Sequence, residues 1–184
     1  MELILLHGSA GGPADWGRFA EAIAPDARHI LPVGALIDGA GFTFLEKRED
    51  GRGFDRALAA DRARALMAQL PGGGSEPSVL VGYSRGAVMA QALLSLAPAR
   101  FSGAILLRPE PLTDRFPVLE TKPVLLLAGR EDSRRRLEDA ERLAAALGNA
   151  GADVDLMWLD SGHGWAPAGE DTSLARDWLR RKFG

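Results

Sequence analysis

Short apolar runs alternate with longer segments of helical periodicity along most of the chain. The apolar runs are rich in valine, leucine and isoleucine, which is typical of strands buried on both faces of a sheet. The predicted strands are Leu3–Leu6, Arg28–Leu31, the run that begins at Val79, Gly103–Leu107, Val124–Ala128 and Val154–Leu159. Six strands that alternate with helices predict an α/β fold, with a mostly parallel six-stranded sheet, helices on both faces and right-handed connections.

The segments between these strands carry apolar residues at helical spacing. Helices are predicted at about Ala14–Ala24, Asp55–Leu70, the segment after Ser84, Ser133–Leu147 and Ser173–Phe183. The interval from Pro32 to Phe54 is rich in glycine and has little apolar periodicity, so it is predicted to be a long loop, and loops of this length are usually functional or mobile. No internal repeat or linker interrupts the pattern, and we interpret residues 1–184 as one domain.

Composition narrows the classes of function that the chain can serve. Its 184 residues are 46% hydrophobic, and the formal net charge of −3 gives no basic excess, so a nucleic-acid partner is not expected. The absence of cysteine excludes disulfides, thiolate metal sites and a cysteine nucleophile. The apolar run at the start lacks a basic flank and is too short to span a membrane. We therefore expect a cytoplasmic protein without membrane insertion.

The turn Gly82-Tyr83-Ser84-Arg85-Gly86 lies between a predicted strand and a predicted helix, which is the context that gives a G-x-S-x-G motif its meaning. A serine on so sharp a turn has a strained backbone, and side chains at the flanking positions would collide with the neighbouring strand and helix. Ser84 would then stand above the sheet at a helix N-terminus that favours developing negative charge. The alternative is a glycine-rich turn whose serine only caps the helix.

Ligands of such sheets bind beyond the carboxyl ends of the strands, so the residues that follow each strand are the candidates for chemistry. Ser84 follows the third predicted strand, Asp132 follows the fifth and His163 follows the sixth. This chain order of serine, aspartate and histidine is the one expected of an α/β-hydrolase triad. His163 is flanked by two glycines, and the competing interpretation is an exposed loop histidine.

The motifs together resemble those of the α/β-hydrolase superfamily, and within it the bacterial phospholipase/carboxylesterase branch that includes acyl-protein thioesterases. The matching segments are LLHGSAGG, GRGFD, GYSRG, LLRPEPL, LLLAGREDS and DSGHGW. The resemblance covers nearly the whole chain and implies an α/β-hydrolase fold. The chain departs from the branch at Arg85, where glutamine is common, and at Glu110, where a hydrophobic residue is common. The connection from Arg108 to Thr121 is too short for a helical cap, so no cap domain is expected.

Serine-hydrolase chemistry assigns a role to each candidate residue. Ser84 is the predicted nucleophile, His163 its general base, and Asp132 the acid that orients the imidazole. Glu131 and Asp160 are weaker candidates for the acid. The backbone N–H groups of Ser9 and Arg85 are the predicted oxyanion hole. For His7 the resemblance implies a structural role in holding the oxyanion loop, and His29 lies in or beside a strand with no acid near it.

Aromatic and charged residues near these motifs are candidates for a substrate pocket. Trp16 and Trp165 are close in sequence to the oxyanion loop and to His163, whereas Phe42 and Phe44 lie in the long loop. We predict that these four side chains and Glu110 line the pocket, although simple packing on the core would explain the loop aromatics equally well.

Three consecutive arginines follow Ser133. Arg134, Arg135 and Arg136 could attract an anionic substrate, but we expect them to form a solvated first turn of a helix.

The predicted function is a serine carboxylesterase that needs no metal or cofactor and cleaves small-molecule esters through an acyl-enzyme. A thioesterase or a lysophospholipase would use the same residues. A catalytically silent binding protein of the same fold is the rival from another class. A nucleotide-binding module is disfavoured because no G-x-G-x-x-G or Walker pattern follows any strand. Oligomeric state and the physiological substrate stay open.

Overall fold

Six parallel strands form the central sheet in the computed structural model, which describes residues 1–48, 53–72 and 74–184. The strands in chain order are β1 (Glu2–Leu6), β2 (Arg28–Ile30), β3 (Leu36–Asp38), β4 (Gly41–Thr43), β5 (Ser78–Tyr83), β6 (Gly103–Leu107), β7 (Pro123–Gly129) and β8 (Asp153–Leu159). The sheet has the order β2-β1-β5-β6-β7-β8, and β3 and β4 form a separate antiparallel hairpin. The predicted fold class is confirmed.

Helices cover both faces of this sheet. They are α1 (Gly17–Ile23), α2 (Ala59–Met67), α3 (Arg85–Leu96), α4 (Leu137–Asn149) and α5 (Glu170–Phe183), with short 3₁₀ turns at Pro13–Trp16 and Pro98–Arg100. One core cluster contains residues of α2, α3 and α4, and the other contains residues of α1 and α5. In β1, Leu3 and Leu5 enter the second cluster, whereas Ile4 and Leu6 enter the first. Both faces of each inner strand are therefore buried, which explains the unbroken apolar runs.

Two predictions about local structure were wrong. The Pro32–Phe54 interval contains the β3–β4 hairpin, whose three-residue strands are too short to give a period-two signal. The fourth helix begins at Leu137 rather than at Ser133, because Asp132 accepts the backbone N–H of Arg134 and holds a turn there. The arginines 134–136 consequently precede the helix and do not form its first turn.

The edge of the sheet above Ser84 is covered by connections rather than by an added domain. The segment between β6 and β7 contains no helix or strand, and all of it lies within the described residues, so no cap domain is present there. Gly51 and Arg52, the first two residues of the GRGFD motif, lie outside the described residues. Within the described part of the chain, none of the helices combines the length and apolarity that a membrane crossing requires.

Candidate active site

The turn between β5 and α3 holds Ser84 in a strained backbone conformation. Its φ is 52° and its ψ is −112°, in a region that side-chain-bearing residues rarely adopt. A Cβ atom on Gly86 would lie 1.8 Å from the carbonyl oxygen of Leu6, and a Cβ on Gly82 would lie 2.4 Å from the carbonyl oxygen of Gly86. The steric prediction for the two glycines of the motif is confirmed. The turn allows α3 to start directly beside the end of β1.

Ser84, His163 and Asp132 form a continuous line of hydrogen bonds across three strand ends. The Oγ of Ser84 lies 2.9 Å from Nε2 of His163, and Nδ1 of His163 lies 2.8 Å from Oδ2 of Asp132. The other carboxylate oxygen of Asp132 accepts the backbone N–H of Arg134 at 2.9 Å, and its side chain is almost fully buried. A carboxylate fixed in this way keeps the proton of the imidazole on Nδ1 and leaves Nε2 free to accept from the serine.

The surroundings of His163 favour its neutral form. Burial lowers the pKa of the imidazole from its ordinary value of 6.5, and the positive charges of Arg135 and Arg134 lower it further. The hydrogen bond to Asp132 and the charge of that carboxylate act in the opposite direction. A neutral imidazole near physiological pH can accept the proton of a serine, so these effects suit a general base.

The competing candidates for acid and base lie elsewhere in the structure. Glu131 is exposed, and the carboxylate of Asp160 is exposed and pairs with Arg130. Neither has a hydrogen bond to His163 among the described residues. His29 lies in β2, where its Nε2 is 2.9 Å from the carbonyl oxygen of Ala24. His7 is buried behind the loop that follows β1.

The loop after β1 approaches Ser84 from one side. In the sheet order β1 and β7 lie on opposite sides of β5, so the loops after β7 and β8 approach from the other side. A Cβ atom on Gly8 would lie 3.6 Å from the Cβ of Ser84, so the loop passes next to the serine. His7 anchors the loop, because its Nδ1 lies 2.8 Å from the carbonyl oxygen of Gly8 and its Nε2 accepts the backbone N–H of Gly34. Of the predicted oxyanion donors, Arg85 follows Ser84 directly and Ser9 follows Gly8 in this loop; their role stays a prediction.

Arg108 braces the loop that carries His163, a role that the sequence did not reveal. Its guanidinium is fully buried, forms a two-pronged ion pair with Asp171 at 2.8 and 2.9 Å, and donates to the carbonyl oxygens of Gly162 and Gly164. The carboxylate of Asp171 also accepts the backbone N–H of Ala166. The backbone on both sides of the histidine is thus tied to one buried cation. A charged residue directly after a buried strand was the signal available in the sequence.

Arg135 points toward Ser84, contrary to the expectation of a solvated arginine. Its Nη2 donates to Oγ of Ser84 at 3.0 Å, its Nε donates to the carbonyl oxygen of Arg108 at 3.0 Å, and its guanidinium lies 3.5 Å from the carboxylate of Glu110. Its side chain is 14% exposed, whereas Arg134 and Arg136 are exposed as predicted. The turn at Asp132 directs only the middle arginine inward, and nothing in the sequence distinguishes it from its neighbours.

Arg85, the residue after Ser84, also places its charge at this edge of the sheet. Its guanidinium lies 5.0 Å from the ring centroid of Phe54, and the charges of Glu110 and Arg135 act on it. Burial lowers the pKa of this guanidinium. Among the described residues its buried Nη1 atom has no hydrogen-bond partner. Glu110, predicted to line a pocket, therefore lies between two arginines.

The aromatic residues predicted to line a pocket divide into exposed and buried pairs. Trp165 is 42% exposed and stacks on Tyr83, whose ring lies 5.7 Å from that of His163. Phe42 is 41% exposed and lies in the hairpin that bridges to Gly11 of the β1 loop. Trp16 is buried below Trp165, and Phe44 is buried against the ring of His7. The buried pair supports the surface near Ser84, and the exposed pair can face a ligand.

Comparisons with known proteins agree with this geometry. The chain is 30% identical over 187 residues to MhqD of Bacillus subtilis (strain 168), which is provisionally named a hydrolase, and the match covers 97% of the chain and 92% of MhqD. Among solved structures, a carboxylesterase from Mesorhizobium loti is 28% identical, with a TM-score of 0.85, and the Bacillus cereus carboxylesterase is 25% identical, with a TM-score of 0.83. Each match covers 97% of this chain and 87% of the other. No family model matches the chain.

Proposed function

Because the chain belongs to the phospholipase/carboxylesterase branch of the α/β-hydrolase superfamily, we propose that it cleaves small carboxylic esters through an acyl-enzyme formed on Ser84. The observation that carries the proposal is the unbroken hydrogen-bond line from Ser84 through His163 to Asp132, which begins at a strained strand-to-helix turn. Ester cleavage is the class of reaction that this membership assigns to the chain. The identity of the reacting residues is our proposal.

Acylation starts when Oγ of Ser84 attacks the carbonyl carbon of the ester. His163 accepts the serine proton at Nε2 while its Nδ1–H keeps its hydrogen bond to Asp132. The imidazolium that forms is therefore stabilised by a buried carboxylate. The carbonyl oxygen becomes an oxyanion, which the backbone N–H groups of Ser9 and Arg85 stabilise. The intermediate then collapses, the bond to the alcohol oxygen breaks, and His163 returns its proton to the departing alcohol.

Deacylation repeats these steps with water as the nucleophile. Water gives a proton to Nε2 of His163 and attacks the acyl carbon, and collapse of the second intermediate returns that proton to Ser84 as the carboxylic acid leaves. No cofactor enters either half of the cycle. A thioester would follow the same route with a thiol as the leaving group, so a thioesterase or lysophospholipase activity of the same site would involve the same residues.

Two features support small esters as substrates. Two solved neighbours, of 25 and 28% identity, are named carboxylesterases. The segment between β6 and β7, which is entirely described, forms no helix or strand over the active site. A site with a short apolar wall can bury only a few methylene groups of the acyl chain, and each buried methylene contributes about 0.8 kcal/mol to binding. We therefore expect kcat/KM to stop rising beyond roughly six to eight acyl carbons on that scale.

A serine-directed fluorophosphonate with intact-mass detection tests the proposal. The wild-type protein should gain one adduct, Ser84→Ala should gain none, and Ser133→Ala, which changes an exposed serine beside Asp132, should gain one. Peptide mapping should locate the adduct on Ser84. Labelling of Ser84→Ala to the same extent as the wild type would refute Ser84 as the nucleophile.

A further inference from the structure

Arg135 contacts the proposed nucleophile, and the charges of Arg135 and Glu110 both act on the neighbouring Arg85. Among the described residues, this pair of arginines carries more positive charge than the nearby carboxylates balance. Glu110 lies 3.5 Å from the guanidinium of Arg135 and is its ion-pair partner. Asp38, whose charge also acts on Arg85, has its own partner in Lys47 at 2.5 Å. Arg85 has no carboxylate within ion-pair distance among the described residues. Within the described part of the chain, the charge of Arg85 therefore has no carboxylate partner.

The burial of Arg85 makes its unpaired charge costly in free energy. Burial lowers the pKa of Arg85, and its Nη1 atom is shielded from solvent without any hydrogen bond among the described residues. A buried polar group without a partner costs more than the same group in water, and the cost is larger when the group is charged. A guanidinium in this state gains a hydrogen bond when it turns toward an acceptor that arrives with a ligand. Planar guanidinium groups bind carboxylates with two parallel hydrogen bonds, so a carboxylate is the acceptor that fits best.

We infer that Arg85 and Arg135 form a carboxylate-binding subsite beside Ser84, and that the preferred substrates are half-esters of short dicarboxylic acids, with the free carboxylate in the acyl half. This inference rests on the function proposed above and names the substrate class of the same site.

The position of Arg135 places the carboxylate in the acyl half of the ester. Its Nη2 lies 3.0 Å from Oγ of Ser84, the atom that becomes bonded to the acyl carbon. In a succinyl-enzyme, four bonds of about 1.5 Å separate that oxygen from the carboxylate carbon, so the carboxylate lies within about 5 Å of it. A charge-assisted hydrogen bond of about 2.8 Å from the guanidinium reaches this region. The arginine stays next to the acyl group during both acylation and deacylation, whereas the alcohol departs after the first step.

A bound carboxylate also changes the state of the nucleophile. Without substrate, the hydroxyl of Ser84 accepts a hydrogen bond from Arg135 and lies within hydrogen-bond distance of His163. A carboxylate is a stronger acceptor than a neutral hydroxyl, so it takes the guanidinium hydrogen bond from the serine. The lone pair of Oγ is then free for attack. A neutral ester lacks an acceptor of this strength and meets a serine that is still hydrogen-bonded to Arg135.

Monoethyl succinate and ethyl succinamate test the inference, because they have the same shape and differ in a carboxylate and a neutral amide. Ethanol release should give a kcat/KM for monoethyl succinate at least tenfold higher, a difference of about 1.4 kcal/mol. Arg85→Gln and Arg135→Gln should each bring this ratio close to one. Arg136→Gln removes the same charge from an exposed neighbour and should leave the ratio unchanged. Arg135→Lys keeps the charge without the planar fork and should give an intermediate ratio.

The outcomes separate this inference from the proposed function. A wild-type protein that reacts with the fluorophosphonate but cleaves the succinamate at least as fast as the succinate would overturn the subsite alone. A protein that is not labelled at Ser84 and cleaves neither ester would overturn the function. Preference for 3-butanoyloxypropanoate, which has its carboxylate in the alcohol half, over monoethyl succinate would overturn the placement in the acyl half. Fluorophosphonate labelling of each glutamine variant shows that its site is folded, so a changed ratio reports on recognition.

Discussion

Replacing Arg108 by methionine removes the cation that braces the His163 loop and keeps a side chain of similar length. The change leaves the carboxylate of Asp171 buried without its partner, and it leaves the carbonyl oxygens of Gly162 and Gly164 without a donor. Breaking a buried ion pair by removing one partner costs about 3–5 kcal/mol. For a chain of this size the melting temperature should fall by about 6–20 °C. Activity should fall as well, by about 10²-fold if His163 moves by an ångström.

Urea unfolding followed by tryptophan fluorescence measures the cost, since Trp16 and Trp178 are buried in the folded protein and become exposed on unfolding. The double variant Arg108→Met/Asp171→Leu removes both charges and should be more stable than Arg108→Met alone, with a coupling energy of about 1–3 kcal/mol. Arg130→Met breaks the exposed pair with Asp160 and should cost less than about 1 kcal/mol. Additive effects of the two brace mutations, or a cost of Arg108→Met no larger than that of Arg130→Met, would refute the reasoning.

Three further predictions concern the nucleophile turn, the acid and the base. Gly86→Ala should abolish soluble expression, because a Cβ would lie 1.8 Å from a carbonyl oxygen at the end of β1; folded protein at wild-type yield would contradict this packing. Asp132→Asn should lower kcat by about 10⁴-fold with an intact circular dichroism spectrum, whereas Glu131→Gln should change kcat little. The reverse pattern would mean that Glu131, and not Asp132, is the acid that orients His163. In the proposed mechanism the active form has neutral His163, whose pKa is lowered, so kcat/KM should fall only as the pH drops below 6.5. Arg135→Gln removes a charge that disfavours the imidazolium and should move this limb to higher pH; a shift to lower pH would oppose the assigned electrostatics.

The sequence was sufficient to predict the sheet and its strand ends, because both follow from local patterns. Runs such as Leu3–Leu6 are apolar at every position, since alternate side chains enter the two cores on opposite faces of the sheet. Ser84, Asp132 and His163 each lie within four residues of the end of a strand, so a parallel sheet brings them to one edge. The glycines beside Ser84 reflect steric contacts within a few residues of the turn and with the end of β1.

Contacts between distant segments could not be predicted in the same way. Arg108 and Asp171 are 63 positions apart, and neither belongs to a periodic pattern that would pair them. Arg135 is the middle one of three arginines, and its direction depends on the turn that Asp132 stabilises. The β3–β4 hairpin has strands of three residues, which are shorter than the window over which alternation is visible.

The central claim is that Ser84 carries the acyl group during turnover, and acid-quenched intact-mass spectrometry measures this directly. A rapid reaction with 4-nitrophenyl butanoate should show a protein species heavier by one butanoyl group, mapped to the peptide that contains Ser84. The species should form together with a burst of nitrophenol and disappear at the rate of turnover, and Ser84→Ala should not form it. Ester hydrolysis at the wild-type rate by Ser84→Ala, or an acyl group mapped to another residue, would contradict the account.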